Sequence, residues 1–176
     1  MLINTFQHIP GIGPKLEKRL WDSGIRTWDD INLADSCKLS SKKIQIIKKH
    51  LHESECHYAE YNPNYFTERL PAFLHWRLLP EFRNSIAFLD IETDGMSGSA
   101  GSITAIALYD GNQIHYYIRG ETLDYFKHEI RRYKVLVTYN GKCFDVPFIE
   151  NYFGITLPWR KSIYVTSWGI LVIKAD

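Results

Sequence analysis

The spacing of hydrophobic residues changes near residue 85, and this change divides the chain into two parts. Before residue 57, apolar residues recur every three to four positions, as Leu16 and Leu20 do, which is typical of helices. In the second part, short apolar runs alternate with turn residues, which is typical of strands. We therefore predict a small all-helical module over 1–57 and an α/β domain over 85–176.

Three helices are predicted in the first part. Pro14 suits the first turn of a helix, because its missing N–H costs little there, and Gly24 suits the end of the same helix. Thr27 and Asp30 resemble a capping box at the start of a short second helix. A third helix is expected to begin near residues 40–41.

Residues 58–84 are rich in aromatic residues and proline. Because a buried aromatic side chain covers about 150–250 Å², we interpret this stretch as a packed strap, with a helix from Pro71 to Leu79. Four of its aromatic residues are candidates for stacking on single-stranded bases, although packing in a core is the preferred interpretation. They are Tyr61, Tyr65, Phe66 and Trp76.

The second part is predicted to hold four strands and two helical segments. The strands cover 85–92, 102–109, 113–119 and 135–139, and the helical segments cover 122–132 and 144–153. Asp110 and Gly111 favour a type I′ hairpin between the second and third strands. Three antiparallel strands, a crossover helix and a fourth strand imply a sheet with mixed pairing.

Composition and charge restrict the class of protein. The chain is 45% hydrophobic, 14% aromatic and 23% charged, within the usual range of globular domains, and its formal net charge is +1. No overall field therefore indicates a polyanionic partner. We interpret the three cysteines as reduced thiols of a cytoplasmic protein, because no apolar leader precedes them. No membrane span is predicted, since such a span needs about 20 apolar residues.

Two carboxylates end the first predicted strand. Asp90 and Glu92 are two residues apart, so both side chains leave the same face of the sheet. A divalent cation such as Mg²⁺ or Mn²⁺ would relieve the repulsion between these neighbouring anions. The alternative is a strand that reaches the surface at Asp90 and continues into a polar turn.

A third carboxylate follows a later strand. Asp145 stands near the start of a predicted helix, where loops from adjacent strand ends commonly build sites. The alternative is a turn at Asn140 and Gly141, followed by Asp145 as a partner of the helix dipole. Together, the two signals predict three carboxylates at the ends of neighbouring strands.

These segments resemble a known family. Leu89-Asp90-Ile91-Glu92-Thr93 resembles the first motif of the DEDD exonucleases of the ribonuclease-H-like superfamily, and Asn140-x-x-x-Phe144-Asp145 resembles the second. The resemblance is closest to the YprB-like branch and spans roughly residues 85–158. It implies a metal-dependent 3′–5′ exonuclease acting on DNA or RNA. In such an enzyme Asp90, Glu92 and Asp145 would be catalytic and would ligate two Mg²⁺ or Mn²⁺ ions, and Thr93 and Asn140 would lie at the nucleic acid.

The sequence departs from this family in one motif. A tyrosine or histidine followed four residues later by aspartate is expected near the end of the domain, but Tyr164 is followed at that spacing by Trp168. We therefore expect an incomplete ribonuclease-H-like domain from a gene truncated or frame-shifted near Lys161. A second copy of the chain or a partner protein would then supply the fourth carboxylate. The alternative is a non-catalytic nucleic-acid-binding protein or an inactive remnant; a weaker third interpretation is a protein-interaction module.

The N-terminal segment has its own resemblance. Residues 6–16 resemble the hairpin of a helix-hairpin-helix element, in which Gly11 and Gly13 let the turn approach a phosphate. Lys15 and Lys18 would add positive charge to that contact without reading bases. The alternative is a tight turn between helices with a solvated basic face.

Overall fold

A computed structural model of the chain describes residues 1–36, 39–95, 101–139, 141, 143–157 and 163–165. The chain separates into two compact units, Met1–Glu81 and Phe82–Asp176. The predicted limits of the strap, 58–84, stay a prediction.

The first unit is helical. Its α-helices are α1 (Pro14–Asp22), α2 (Ser41–Ala59) and α3 (Pro63–Thr67), and α4 (Leu79–Phe82) ends at the start of the second unit. Single 3₁₀ segments cover Leu2–Asn4, Asp29–Ser36 and Ala72–Leu78. Pro14 occupies the first turn of α1, as predicted, and Gly24 follows that helix with a φ of +89°.

Two predicted helices have a different form in the structure. The helix expected from Pro71 to Leu79 is a 3₁₀ helix that continues into α4. Pro80 has no N–H to donate to the Trp76 carbonyl four residues earlier, so the α-helical hydrogen-bond pattern is interrupted between the 3₁₀ helix and α4. The short helix after Thr27 is also a 3₁₀ helix, and the Asp30 carboxylate accepts the Thr27 N–H at 2.8 Å.

The aromatic residues at the centre of the strap lie in the core of the first unit. Tyr65 is 5% exposed and Phe66 is fully buried, with the Phe66 ring stacked against Trp28 at 5.8 Å between centroids. The packing interpretation is therefore confirmed for these two residues. Trp76 is more exposed, at 38% of its surface.

The second unit contains a five-stranded mixed sheet, so the predicted α/β class is confirmed. The strands are β1 (Ile86–Thr93), β2 (Ile103–Tyr109), β3 (Ile114–Ile118), β4 (Val135–Tyr139) and β5 (Ile163–Val165), in the order β3-β2-β1-β4-β5. β1 pairs with β2 and β2 with β3 in antiparallel fashion, whereas β1 with β4 and β4 with β5 are parallel.

The predicted β2–β3 hairpin is confirmed, but its predicted turn type is wrong. Tyr109 pairs with Ile114, which leaves four residues in the loop, and Gly111 is the only one of them with a positive φ. A type I′ turn needs two consecutive positive φ values. Instead, Asp110 Oδ1 accepts the N–H groups of Asn112 and Gln113, and these bonds lower the pKa of Asp110 to about 2.

Helices cover one face of the sheet. Leu123–Arg132 forms a helical segment with α5 (Phe126–Glu129) at its centre, and α6 (Asp145–Phe153) follows β4. Leu89 and Ile91 of β1 are buried in this core together with Phe126, Val146 and Ile149 of the helices. Among the described residues, no helix is both long and apolar enough to cross a membrane.

Candidate active site

Asp90 and Glu92 lie side by side on the face of β1 that points away from the core. Their neighbours Leu89 and Ile91 are 4% and 6% exposed, so the alternation of a strand turns both acids towards solvent. Ala107 and Ala105 are their partners on β2 and leave space above them. In the part of the chain that the structure describes, neither carboxylate has an ion-pair partner. The predicted shared face is therefore present.

The surface beside Asp90 is open and aromatic. Asp90 lines a groove of about 570 Å³ together with Phe88, Tyr109 and Tyr139. These three rings are 39%, 40% and 63% exposed. A ligand seated against Asp90 would border them.

Asp145 is the first residue of α6, which follows β4, and it lies near β1. The pairing of β1 with β4 ends at Leu89 and Thr138, so β1 continues past the end of its neighbour. The Ile91 N–H of this extension acts on the Asp145 carboxylate and lowers its pKa. The second sequence motif therefore lies within electrostatic range of the first.

The environment of Asp145 favours its neutral form. The side chain is only 2% exposed, and burial raises its pKa, with the negative charge of Asp90 acting in the same direction. The Thr138 hydroxyl, which donates to Oδ2 at 2.6 Å, acts against this shift by stabilising the ionised form. The effect of Asp90 indicates that the two carboxylates lie within electrostatic range of each other.

The carboxylates match a hard divalent cation in chemistry, because Mg²⁺ and Mn²⁺ prefer oxygen ligands. Asp90 and Glu92 present such oxygens to solvent. Within the described ranges, however, no group of three or more His, Cys, Asp or Glu residues is close enough to hold a metal ion. Asp145 therefore lies within electrostatic range of the strand that carries the other two acids, but the three described carboxylates do not form a metal-binding group.

Thr93, a further predicted residue, lies next to the site. Thr93 is half-buried at a register shift that follows Glu92, and its hydroxyl accepts the Gly95 N–H at 3.4 Å. Asn140 lies outside the described residues. Its neighbour Gly141 packs so closely on β4 that a Cβ there would lie 2.3 Å from Thr138 Cγ2.

The N-terminal hairpin has the local geometry that its glycines suggest. Gly11 has a φ of +77°, and Gly13 is the N-cap of α1. Lys15 is exposed at the start of this helix. Lys18 is exposed too, but its ammonium pairs with Asp22 Oδ2 at 2.7 Å, so part of its charge is neutralised.

Two basic residues near the hairpin were not among the predicted binding residues. Arg69 lines a groove of about 350 Å³ with residues 7–13, and its guanidinium lies 3.9 Å above the Tyr65 ring. Lys43 Nζ donates to the Gly11 carbonyl at 3.1 Å. Lys43 belongs to a run of basic residues that can be seen in the sequence. Nothing in the local sequence, however, connects Arg69 with the hairpin.

One comparison with known proteins gives a match. Residues 87–168 match the family model RNase_H_2 of the RNase H superfamily. The match supports the RNase H superfamily for this unit. The matched range begins in β1 and extends beyond β5, so Asp90, Glu92 and Asp145 all fall within the RNase-H-like region. Such a domain suggests a nuclease-like function in general. No curated protein matches the chain.

Proposed function

We propose that the chain is a metal-dependent nuclease that hydrolyses phosphodiester bonds of DNA or RNA in the 3′–5′ direction. The observation that supports it best is the common solvent-facing side of Asp90 and Glu92 on β1, and the charge of Asp90 also acts on Asp145 of the second motif. The RNase H superfamily match covers both motifs. The direction of cleavage rests on the resemblance of these motifs to those of DEDD exonucleases.

Asp90 and Glu92 would hold Mg²⁺ or Mn²⁺ through their solvent-facing oxygens, and Asp145 would join them from the edge of the sheet. When bound, the ions would activate a water molecule and stabilise the leaving oxygen. Asp90 would neighbour both other acids, since it shares a face with Glu92 and its charge acts on Asp145. Thr93 and Asn140 would lie where the nucleic acid approaches.

Degradation of end-labelled single-stranded DNA and RNA in Mn²⁺ or Mg²⁺ tests this proposal. We expect cleavage by the wild type, loss of cleavage on chelation, and loss in Asp90→Asn. Asp124→Asn is the matched control, because Asp124 is an exposed aspartate of the same unit outside the acidic motifs. Equal cleavage by Asp90→Asn and the wild type would show that another site, or a contaminant, is responsible.

A fourth carboxylate would come from a second copy of this chain or from a partner protein. A second copy predicts that the cleavage rate per molecule rises with protein concentration. Full activity of purified protein that is monomeric at the assay concentration would rule out both sources.

A second function is a non-catalytic nucleic-acid-binding protein. Two observations favour it: the described acids do not form a three-membered metal group, and the hairpin groove is lined by Arg69 without any acidic residue. Binding whose affinity falls linearly on a log–log plot against salt, with no cleavage in Mn²⁺, is the expected result. Cleavage that Asp90→Asn abolishes would exclude it.

A further inference from the structure

Thr138 and Asp145 form a buried contact at the junction of β4 and α6. Thr138 is 3% exposed and Asp145 is 2% exposed. The 2.6 Å separation of Thr138 Oγ1 and Asp145 Oδ2 is typical of a strong hydrogen bond to a carboxylate. Asp145 therefore has a fixed donor within the protein, independent of any ligand.

Gly141 holds Thr138 in place. A Cβ at Gly141 would lie 2.3 Å from Thr138 Cγ2 and 2.4 Å from its Oγ1, well inside van der Waals contact. The Gly141 carbonyl also accepts the Val146 N–H at 2.8 Å, which fixes the start of α6. The close approach of this turn to β4 thus requires glycine, and it places Thr138 and the first residue of α6 next to each other.

The Ile91 N–H of β1 acts on the same carboxylate. It lowers the pKa of Asp145, as the Thr138 hydroxyl of β4 does, whereas the charge of Asp90 raises it. The carboxylate therefore lies within electrostatic range of β1. Rotation away from Thr138 would break the 2.6 Å hydrogen bond and leave the buried carboxylate without this donor.

We propose that Thr138 is a positioning residue, whose hydroxyl fixes the Asp145 carboxylate against β1 and is itself kept in place by Gly141. This inference rests on the proposed nuclease function. The proposed role of Thr138 is exerted through Asp145. Hydrogen-bond partners of metal-ligating side chains typically change metal affinity or activity by about 10- to 100-fold when they are removed.

The test compares Thr138→Val, which removes the hydroxyl, with Thr138→Ser, which keeps it. We expect Thr138→Val to reduce kcat and Mn²⁺ affinity by about 10- to 100-fold with little change in KM for the nucleic acid, and Thr138→Ser to stay within a few-fold of the wild type. Gly141→Ala is expected to resemble Thr138→Val, because its methyl group displaces the Thr138 side chain. Thr138→Ala also removes the hydroxyl and replaces Thr138→Val in this test if the valine variant does not fold.

Ser85→Ala is the matched control. Ser85 is 5% exposed, and its hydroxyl donates to the Phe82 carbonyl at 3.1 Å in the same unit, away from the acidic motifs. Its loss should lower stability while leaving kcat of the folded protein unchanged. If Thr138→Val changes kcat no more than Ser85→Ala does, Thr138 is only structural and the inference is wrong.

A second measurement separates this inference from the nuclease proposal. The carboxyl ¹³C shift of Asp145, followed against pH in the full chain, needs no activity. We expect its pKa to rise in Thr138→Val, because the ionised carboxylate loses a donor, and to stay near the wild-type value in Thr138→Ser. An unchanged pKa in Thr138→Val overturns the positioning role. Absent cleavage in every variant together with the expected pKa change would reject the nuclease function alone.

Discussion

Arg77 Nη1 lies 3.4 Å from Glu17 Oε1 within the first unit, and the Glu17 side chain is almost completely buried. The same carboxylate accepts the Thr5 hydroxyl at 2.6 Å, the Phe6 N–H at 2.8 Å and the Gln7 side-chain amide at 2.5 Å. One buried anion therefore joins α1, the residues that lead into the hairpin and the 3₁₀ segment that carries Arg77.

Removal of this anion should strongly destabilise the first unit. Glu17→Ala would leave several buried donors without an acceptor and Arg77 without its partner, and breaking a buried ion pair costs about 3–5 kcal/mol. Urea unfolding followed by tryptophan fluorescence measures the change in the free energy of unfolding. Glu55→Ala, at an exposed position of α2, should change it by less than about 0.5 kcal/mol. Similar unfolding midpoints for both variants would contradict this account.

The two hairpin glycines should respond differently to alanine. At Gly11 the φ of +77° is unfavourable for any other residue, and an added Cβ would lie 2.9 Å from Lys43 Nζ. Gly11→Ala should therefore cost about 1–2 kcal/mol in the free energy of unfolding. At Gly13 the φ is −100° and nothing lies within 4 Å of an added Cβ, so Gly13→Ala should cost less, about 0.5–1 kcal/mol, because alanine is a poorer N-cap of α1 than glycine. Thermal unfolding of the two variants measures this difference. An equal loss of stability in both variants would show that backbone conformation is not the cause.

His8 should make the first unit less stable in acid. Burial, together with the nearby charges of His50 and Arg69, lowers the pKa of His8 from 6.5 to about 3. Between pH 6.5 and 3, His8 is protonated in the unfolded chain but not in the folded chain. The free energy of unfolding therefore decreases as the pH falls through this interval. The loss amounts to about 1.4 kcal/mol per pH unit in this interval.

Urea titrations at several pH values measure this slope. His8→Phe keeps a ring between Trp28 and Phe66 but cannot titrate, so its free energy of unfolding should fall less steeply below pH 6.5 than that of the wild type. His52→Leu, at an exposed histidine of α2, should retain the wild-type slope. If His8→Phe keeps the full slope, the acid sensitivity arises elsewhere.

Arg69 should contribute to nucleic-acid binding if the hairpin groove is the contact surface. Its guanidinium stacks on Tyr65 and lines the groove, so Arg69→Gln should weaken the binding of single-stranded DNA and reduce the log–log salt slope by about 0.7. Fluorescence anisotropy at several salt concentrations gives this slope. Arg131→Gln removes an exposed arginine of the other unit and should change neither quantity. Equal slopes for wild type and Arg69→Gln would exclude Arg69 from the contact.

Hydrophobic alternation explains why much of the sheet was predictable. In β1 the buried positions Leu89 and Ile91 alternate with Asp90 and Glu92, so the period of two identified both the strand and the shared face of the acids. The bounds of β4 agree with the predicted strand as well. Helix type was less predictable in the strap, because the pattern of apolar residues does not distinguish a 3₁₀ helix from an α-helix, and Pro80 removes a hydrogen-bond donor.

The contacts of Asp145 depend on tertiary structure and could not be predicted from local sequence patterns. The Ile91 N–H can act on the Asp145 carboxylate because β1 continues past the last residue of its pairing with β4, and strand offset is set by the whole sheet. Thr138 fitted an ordinary strand, and its hydroxyl gained significance only through the close packing of Gly141. Arg69 was missed for a similar reason, since its proximity to the hairpin comes from the packing of helices.

The strict alternation along β1 also limits how the gene can change by insertion or deletion. Removing one residue within β1 would exchange its two faces, so that Asp90 and Glu92 would enter the core and Leu89 or Ile91 would reach solvent. Point substitutions of Asp90 and Glu92 do not change which positions of β1 face the core. Substitutions at positions 90 and 92 are therefore compatible with the fold of β1, whereas single-residue insertions or deletions in β1 are not.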